Sequence, residues 1–305
     1  DQIAEDCHYR NMADVWLSGD HYKWRAMRAN GVAERFCTGD APDWEKYLKW
    51  AETVPRLLRN QLYNWTHLEL ARYFGIADRL LNPDTARGIW DECNARLAEP
   101  EYSCRGLMRQ SGVVLVCTTD DPTDSLEHHK SIRADRDFDV RVLPAWRPDK
   151  GMAVENTESF NAWVDKLGAA ADVDVRDFDA YREALERRHD FFHEMGCRLS
   201  DHGLETVYAA DYTGPEVKRI FSRIRTGGEL NRDEIAAFKS AMLVEFGRMD
   251  HSRGWTQQYH LGALRNNNSR MFEQLGPDSG FHAIGHFEIG RPLARLLDRL
   301  ERTSK

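Results

Sequence analysis

Apolar residues recur at helical spacing through the first hundred positions, and no convincing strand precedes residue 107. Asp20 can cap a helix running from His21 to about Asn30, with Gly31 where helices often end in a left-handed residue. Further helices are expected over 43–53, 66–74 and 83–98. In the last of these Ile89, Trp90, Cys93 and Leu97 form an apolar stripe, and Pro83 falls near the first turn. The pattern then changes. Residues 113–117 are a short apolar run, the mark of a strand buried on both faces. Residues 140–144, 197–200 and 255–260 read as three more strands. Helices are expected over 124–134, 156–167, 176–195, 203–211, 215–225, 231–253 and 287–301.

Strands alternating with helices imply parallel pairing and right-handed crossovers. Each strand ends in a burst of polar residues, as strands do at the catalytic face of a (β/α)8 barrel. A doubly wound sheet finds no G-x-G-x-x-G loop to support it. The expected fold is therefore α/β, a TIM-like barrel with a helical insertion. Four strands are counted where a closed barrel needs about eight, so the barrel is expected to be incomplete in this chain. Three regions follow: a helical insertion over 1–107, the central strands and helices over 108–287, and a terminal helix over 288–305.

Composition narrows the function. With 41% hydrophobic and 30% charged residues, the chain is neither disordered nor fibrous. Lys and Arg number 42 against 50 Asp and Glu, a net charge of −8, which argues against a nucleic-acid partner. An anionic small molecule stays possible where local Arg and His reverse the field. No apolar stretch reaches the roughly 18 residues of a membrane span. Cys7, Cys37, Cys93, Cys104, Cys117 and Cys197 include no CxxC pair, and no signal peptide is seen, so the cytoplasm is the expected compartment.

Several side chains could carry chemistry. Asp201-His202 at a strand exit could serve as base and acid or as metal ligands; equally, Asp201 could cap a following helix while His202 bonds locally. His260 and Arg265 follow the fourth strand and would suit an acidic substrate, whereas Asn266, Asn267 and Asn268 read as turn chemistry. Arg147 is a second guanidinium at a strand exit, with a salt bridge to Asp149 or another loop carboxylate as its plain alternative. His21, Arg25 and Arg28 share a helix face near Tyr22, and a solvated basic face over Trp24 and Met27 explains them as well. His189 and His193, four apart, lack the glutamate of a zinc helix and are expected at the surface, as are His128 and His129.

These phrases, in this order, resemble the uronate isomerase (glucuronate isomerase) family of the amidohydrolase superfamily. They are Ile3-Ala4-Glu5-Asp6, Gly19-Asp20-His21-Tyr22-Lys23-Trp24-Arg25-Ala26-Met27-Arg28, Trp65-Thr66-His67-Leu68-Glu69-Leu70 and Thr118-Thr119-Asp120-Asp121-Pro122. Trp146-Arg147-Pro148-Asp149-Lys150, Ser200-Asp201-His202 and Gln257-Gln258-Tyr259-His260 through Asn268 complete the set. The resemblance implies interconversion of D-glucuronate with D-fructuronate and of D-galacturonate with D-tagaturonate, by proton transfer through a cis-enediol. It implies a divalent metal, zinc or manganese, and no redox cofactor. By the same resemblance His21, Tyr22 and Asp201 are catalytic, while Arg147, His260 and Arg265 bind substrate. Self-association is a further expectation. The family's metal-binding His-x-His pair and its terminal Asp-Ser-Arg motif have no counterpart here, so a fragment, or a barrel completed by other segments, is expected. Two other readings stay open, a metal-dependent sugar-acid hydrolase of the same superfamily and an inactive uronate-binding remnant.

Overall fold

Short polar caps set the helices of the N-terminal region. In the computed structural model, which describes residues 1–303, the chain divides into two units. The first takes in 1–114, 137–140 and 264–283; the second takes in 115–136, 141–263 and the chain from 284 onward. The first unit opens with α1 (Gln2–Glu5), α2 (Met12–Leu17), α3 (His21–Ala29), α4 (Asp43–Thr53), α5 (Gln61–Phe74), α6 (Ala86–Leu97) and α7 (Cys104–Gln110). Asn11 accepts from the N–H groups of Ala13 and Asp14, Asp20 from those of Tyr22 and Lys23. Their apolar stripes meet around Met12, Trp16, Tyr47, Trp50, Leu70 and Ile89. Helix α5 starts earlier than the expected 66 because Asn60 caps it, accepting from Leu62 N–H at 3.0 Å. Helix α6 starts after Pro83, because the Asn82 side chain binds the N–H groups of Asp84 and Thr85 and holds Pro83 in a turn.

The second unit runs β1 (Leu115–Cys117), α8 (Glu127–Ala134), β2 (Arg141–Leu143), α9 (Thr157–Ala171), α10 (Phe178–Glu194), β3 (Leu199–Leu204), α11 (Gly214–Arg225), α12 (Arg232–Arg253) and β4 (Thr256–Leu261). Strand β1 pairs β2 in parallel, and β3 pairs β4 in parallel from Leu199↔Thr256 to Leu204↔Leu261. Parallel bridges Asp120↔Trp146 and Trp146↔Ser200 join the two pairs, so the four strands lie side by side in chain order. The α/β alternation expected from the sequence is therefore present. Closure into a barrel is not seen among the described residues. Trp146 is fully buried between sheet and helices with Phe160, Tyr181, Phe192, Phe221 and Phe238.

Three expectations are corrected here. The 203–211 helix is absent, because β3 runs on to Leu204 and commits that backbone to the ladder with β4. The run at 113–117 is not buried on both faces: Val114 and Leu115 are 70% and 41% exposed, since β1 pairs on one edge alone among the described residues. His189 and His129 are not surface residues. Each lies on the inward face of its helix, with His189 bonded to Asp250 and His129 to Thr118.

Past β4, the short strand β5 (Ala263–Leu264) leads through the asparagine turn to α13 (Ser269–Leu275), a helix not among those expected, which Asn268 caps. Strand β6 (Ala283–Ile284) pairs β5, and α14 (Gly290–Thr303) then packs on α12 with Leu296 buried. No helix among the described residues is long and apolar enough to cross a membrane.

Candidate functional site

Alternation along β3 sorts its side chains onto two faces. Ser200 and His202 point into the helix layer. Ser200 Oγ donates to Asp250 Oδ2 at 2.7 Å, His202 Nε2 lies 3.2 Å from Ser200 Oγ, and the His202 ring stacks against Phe246 and Tyr259. Asp201 faces the other way. One of its oxygens accepts from the Arg147 guanidinium, and the other lies 2.6 Å from His260 Nδ1. The structure thus unites Arg147, beyond β2, with Asp201, which lies inside β3 and not at the strand exit expected of it because β3 runs on to Leu204, and with His260 near the end of β4. Of the plain alternatives, the local bond of His202 is present, to Ser200, whereas Asp201 caps no helix and Arg147 pairs with Asp201 instead of Asp149. Asp149 Oδ2 accepts from Gly203 N–H at 2.8 Å, while its Oδ1 faces His202 Nδ1 across 3.6 Å. Arg147 Nε, Asp149 Oδ1, Asp201 Oδ1 and His202 Nδ1 are buried without an aligned hydrogen-bond partner. Such atoms cost free energy unless something binds them. Arg147 Nε and Asp201 Oδ1 belong to the Arg147–Asp201–His260 cluster, where a polar ligand would satisfy them, whereas Asp149 Oδ1 and His202 Nδ1 face each other on the other side of β3. Lys150, beside them in the sequence, pairs instead with Asp121 at 3.0 Å.

The remaining candidates lie in the first unit. Capping by Asp20 places His21 and Tyr22 in the first turn of α3, where the helix dipole favours an anion. Their rings lie 4.3 Å apart, and Tyr22 is 62% exposed, its phenol open to a ligand. His282 stands edge-on to His21 at 5.5 Å, and its Nε2 lies 3.2 Å from Asp278 Oδ1. Arg265 Nη1 is 3.8 Å from that same oxygen. His21, Tyr22 and Arg265 are therefore linked through two residues, His282 and Asp278, that no motif singled out.

Arg25 and Arg28 do not form a solvated basic face. Arg25 Nε donates to Gly280 O at 3.0 Å, and a second N–H of its guanidinium reaches His282 O. Arg28 donates to Ser279 O at 2.6 Å, grips both oxygens of Glu34 and lies over the Phe281 ring. The two arginines tie the 279–282 segment to α3. Gly280 permits the contact: its φ is +100°, and a Cβ there would stand 2.8 Å from His21 O. The signal for this tie was the pair of arginines at i and i+3, whose partners lie some 250 residues away.

Burial, and then the neighbouring His282, hold the His21 imidazole below its ordinary value, against the pull of Asp20 and Asp278; Arg25 adds to the lowering. His21 is then an unprotonated acceptor at neutral pH. The sign for stability follows from the folded chain binding fewer protons at this ring than the unfolded chain. Stability contributed by His21 is present above about pH 6.5, and it is lost as pH falls through the lowered folded value. An NMR titration of the His21 ring is expected to give a midpoint below about 6.5, moved upward in His282→Gln. A midpoint at or above the ordinary value would contradict this.

The divalent metal implied by the resemblance finds no home in these residues. Among the described residues no group of three or more His, Cys, Asp or Glu side chains could hold a metal ion. Asp201 and His260 offer two donors, and the next neighbour, Arg147, is a cation.

A family model described as glucuronate isomerase matches residues 1–305. The uronate isomerase of Cellvibrio japonicus is 57% identical over 305 residues, covering 100% of this chain and 65% of that protein. That of Bacteroides thetaiotaomicron is 57% identical over 304 residues, with 99% and 64% covered. The crystal structure of uronate isomerase from Thermotoga maritima superposes with a TM-score of 0.93 at 35% identity, covering 99% of this chain and 66% of that one. Glucuronate isomerase from Caulobacter crescentus gives 0.91 at 25% identity, covering 98% and 63%. The chain spans slightly less than two thirds of the length of these relatives.

Proposed function

The chain belongs to the glucuronate isomerase family, and from that premise we propose that its residues serve the interconversion of D-glucuronate with D-fructuronate and of D-galacturonate with D-tagaturonate. The observation that carries the reading is the cluster of Arg147, Asp201 and His260 on β3, β4 and the chain after β2, in which Arg147 Nε and Asp201 Oδ1 are buried without an aligned partner among the described residues.

The chemistry asks for two proton movements. The C2–H, made weakly acidic by the adjacent aldehyde, passes its proton to a base, and a proton is returned to C1; the O2 proton moves to O1, so an aldose becomes a ketose with no net oxidation. The cis-enediol between them needs donors at its two oxygens. Tyr22 suits the shuttle between O1 and O2, because its phenol both donates and accepts and stands exposed beside an unprotonated His21. Asp201, held by Arg147 on one oxygen and close to His260 through the other, suits the carbon-bound proton. Arg265 suits the substrate carboxylate, which a guanidinium can bind through two parallel bonds. Each of these roles is assigned to this chain's own side chains.

The test is ketohexuronate formation from D-glucuronate and D-galacturonate, run beside hydrolysis of D-glucuronolactone. Ketose formation without lactone hydrolysis supports the isomerase. Lactone hydrolysis alone would favour the hydrolase, and neither activity the uronate-binding remnant.

A further inference from the structure

Arg265 and His282 address a single oxygen, and neither bonds it well. Arg265 Nη1 is 3.8 Å from Asp278 Oδ1, beyond hydrogen-bond reach, and His282 Nε2 is 3.2 Å from it without alignment. The tautomer of His282 follows from its other nitrogen. Asn266 N–H donates to Nδ1 at 3.1 Å, so the neutral ring carries its proton on Nε2. That N–H is buried and has no hydrogen-bond partner among the described residues. A guanidinium and an imidazole donor therefore flank a seat shaped for a carboxylate, loosely filled by one.

Asp278 is poorly held there. Its side chain is 67% exposed, so it can turn to water with little lost, and its backbone contributes one long bond to Asn266 Oδ1 at 3.3 Å. Its φ of +56° lies in the left-handed region that a non-glycine residue adopts at a cost, between Gly276 at +77° and Gly280 at +100°. The segment is fixed instead at its far side, where Arg25 and Arg28 grip residues 279–282. Strain at Asp278 is thus tolerated by a loop anchored next to it.

We propose that Asp278 is an exchangeable carboxylate that occupies the Arg265–His282 seat in the ligand-free chain and yields it to the carboxylate of an acidic ligand. This rests on the assignment of Arg265 to substrate given above. Two carboxylates cannot share one guanidinium and one imidazole donor without repulsion, so an incoming anion must displace Asp278. A neutral sugar offers nothing to replace the lost ion pair and leaves the seat closed. Asp278 is then a specificity-determining residue, which sets an affinity threshold that uncharged hexoses do not pass.

The exchange is tested by NMR titration of the His282 and His21 ring signals, in this chain and in Asp278→Asn, at constant ionic strength. The first probe is acetate and the second D-glucuronate, with D-glucose as the neutral control. Asp278→Asn is expected to tighten acetate and D-glucuronate binding by about three- to tenfold and to leave D-glucose unchanged; Arg265→Gln in the same background should remove the gain. Unchanged or weaker acetate binding in Asp278→Asn overturns the proposal, whatever D-glucuronate does. Tighter acetate without tighter D-glucuronate sustains the exchange and removes Arg265 from substrate recognition. The exposure of Asp278 makes loss of fold in the variant unexpected, and a native-like spectrum of the core aromatic signals checks it.

Discussion

Tyr22→Phe is expected to lower hexuronate turnover by about two to four orders of magnitude while the fold stays intact. The phenylalanine ring keeps the contact with His21, whose ring lies 4.3 Å away, so positioning at the start of α3 survives. What disappears is the hydroxyl, a single group able both to donate to O1 and to accept from O2 of an enediol. Because Tyr22 is 62% exposed, losing that hydroxyl should change stability by less than about 0.5 kcal/mol. A transition-state role lowers kcat and kcat/KM together, with little change in KM. Steady-state kinetics on both uronates reads this split. A rise in KM with kcat intact would make Tyr22 a simple binding residue, and unchanged kinetics would remove it from the proton path.

The second large effect is on stability. Asp250, 1% exposed on α12, accepts from His189 Nε2 at 3.0 Å, Ser200 Oγ at 2.7 Å and Gln257 Nε2 at 2.9 Å. One carboxylate therefore pins α10, β3 and β4 to α12 at once. Asp250→Ala leaves three buried or half-buried donors without their acceptor, and each such group costs about 1–3 kcal/mol. A total loss of about 3–5 kcal/mol is expected, as for a broken buried polar pair. Asp250→Asn keeps one acceptor oxygen and should lose distinctly less. Denaturant unfolding of the three proteins measures this, and a loss under about 1 kcal/mol for the alanine variant would contradict the reading. The effect also reaches the site, since β3 carries Ser200 on the pinned face and Asp201 on the other.

Local chemistry was legible in the sequence where it acts over a few residues. Asp20 capping α3, the asparagine turn at 266–268 and the parallel pairing of the four strands all follow from short-range patterns. Asp201, Arg147 and His260 stood out because polar residues at the end of an apolar strand are conspicuous, and the structure does join them. Their partners were not legible. The bond between Arg147 and Asp201 spans 54 positions, and Arg25 reaches Gly280 across 255. No periodicity encodes contacts of that range.

The misreadings have the same origin. His189 and His129 looked like surface histidines because helical spacing gives the angular position of a residue and not the identity of its buried partner. Residues 203–211 looked helical because a strand end is set by the length of its neighbour, here β4. His282 and Asp278 escaped notice because they sit in a turn-rich segment, Gly276-Pro277-Asp278-Ser279-Gly280, where polar residues usually mean only a loop.

The most direct test of the central claim is conversion of D-glucuronate in heavy water, with the product examined by NMR at C1. Proton transfer through an enediol, with Tyr22 and Asp201 in the roles proposed for them, would exchange with solvent, so the ketohexuronate should carry deuterium at C1, and Asp201→Asn should slow its appearance. Product formed without any solvent deuterium at C1, at a rate that Asp201→Asn leaves unchanged, would contradict proton transfer through Asp201.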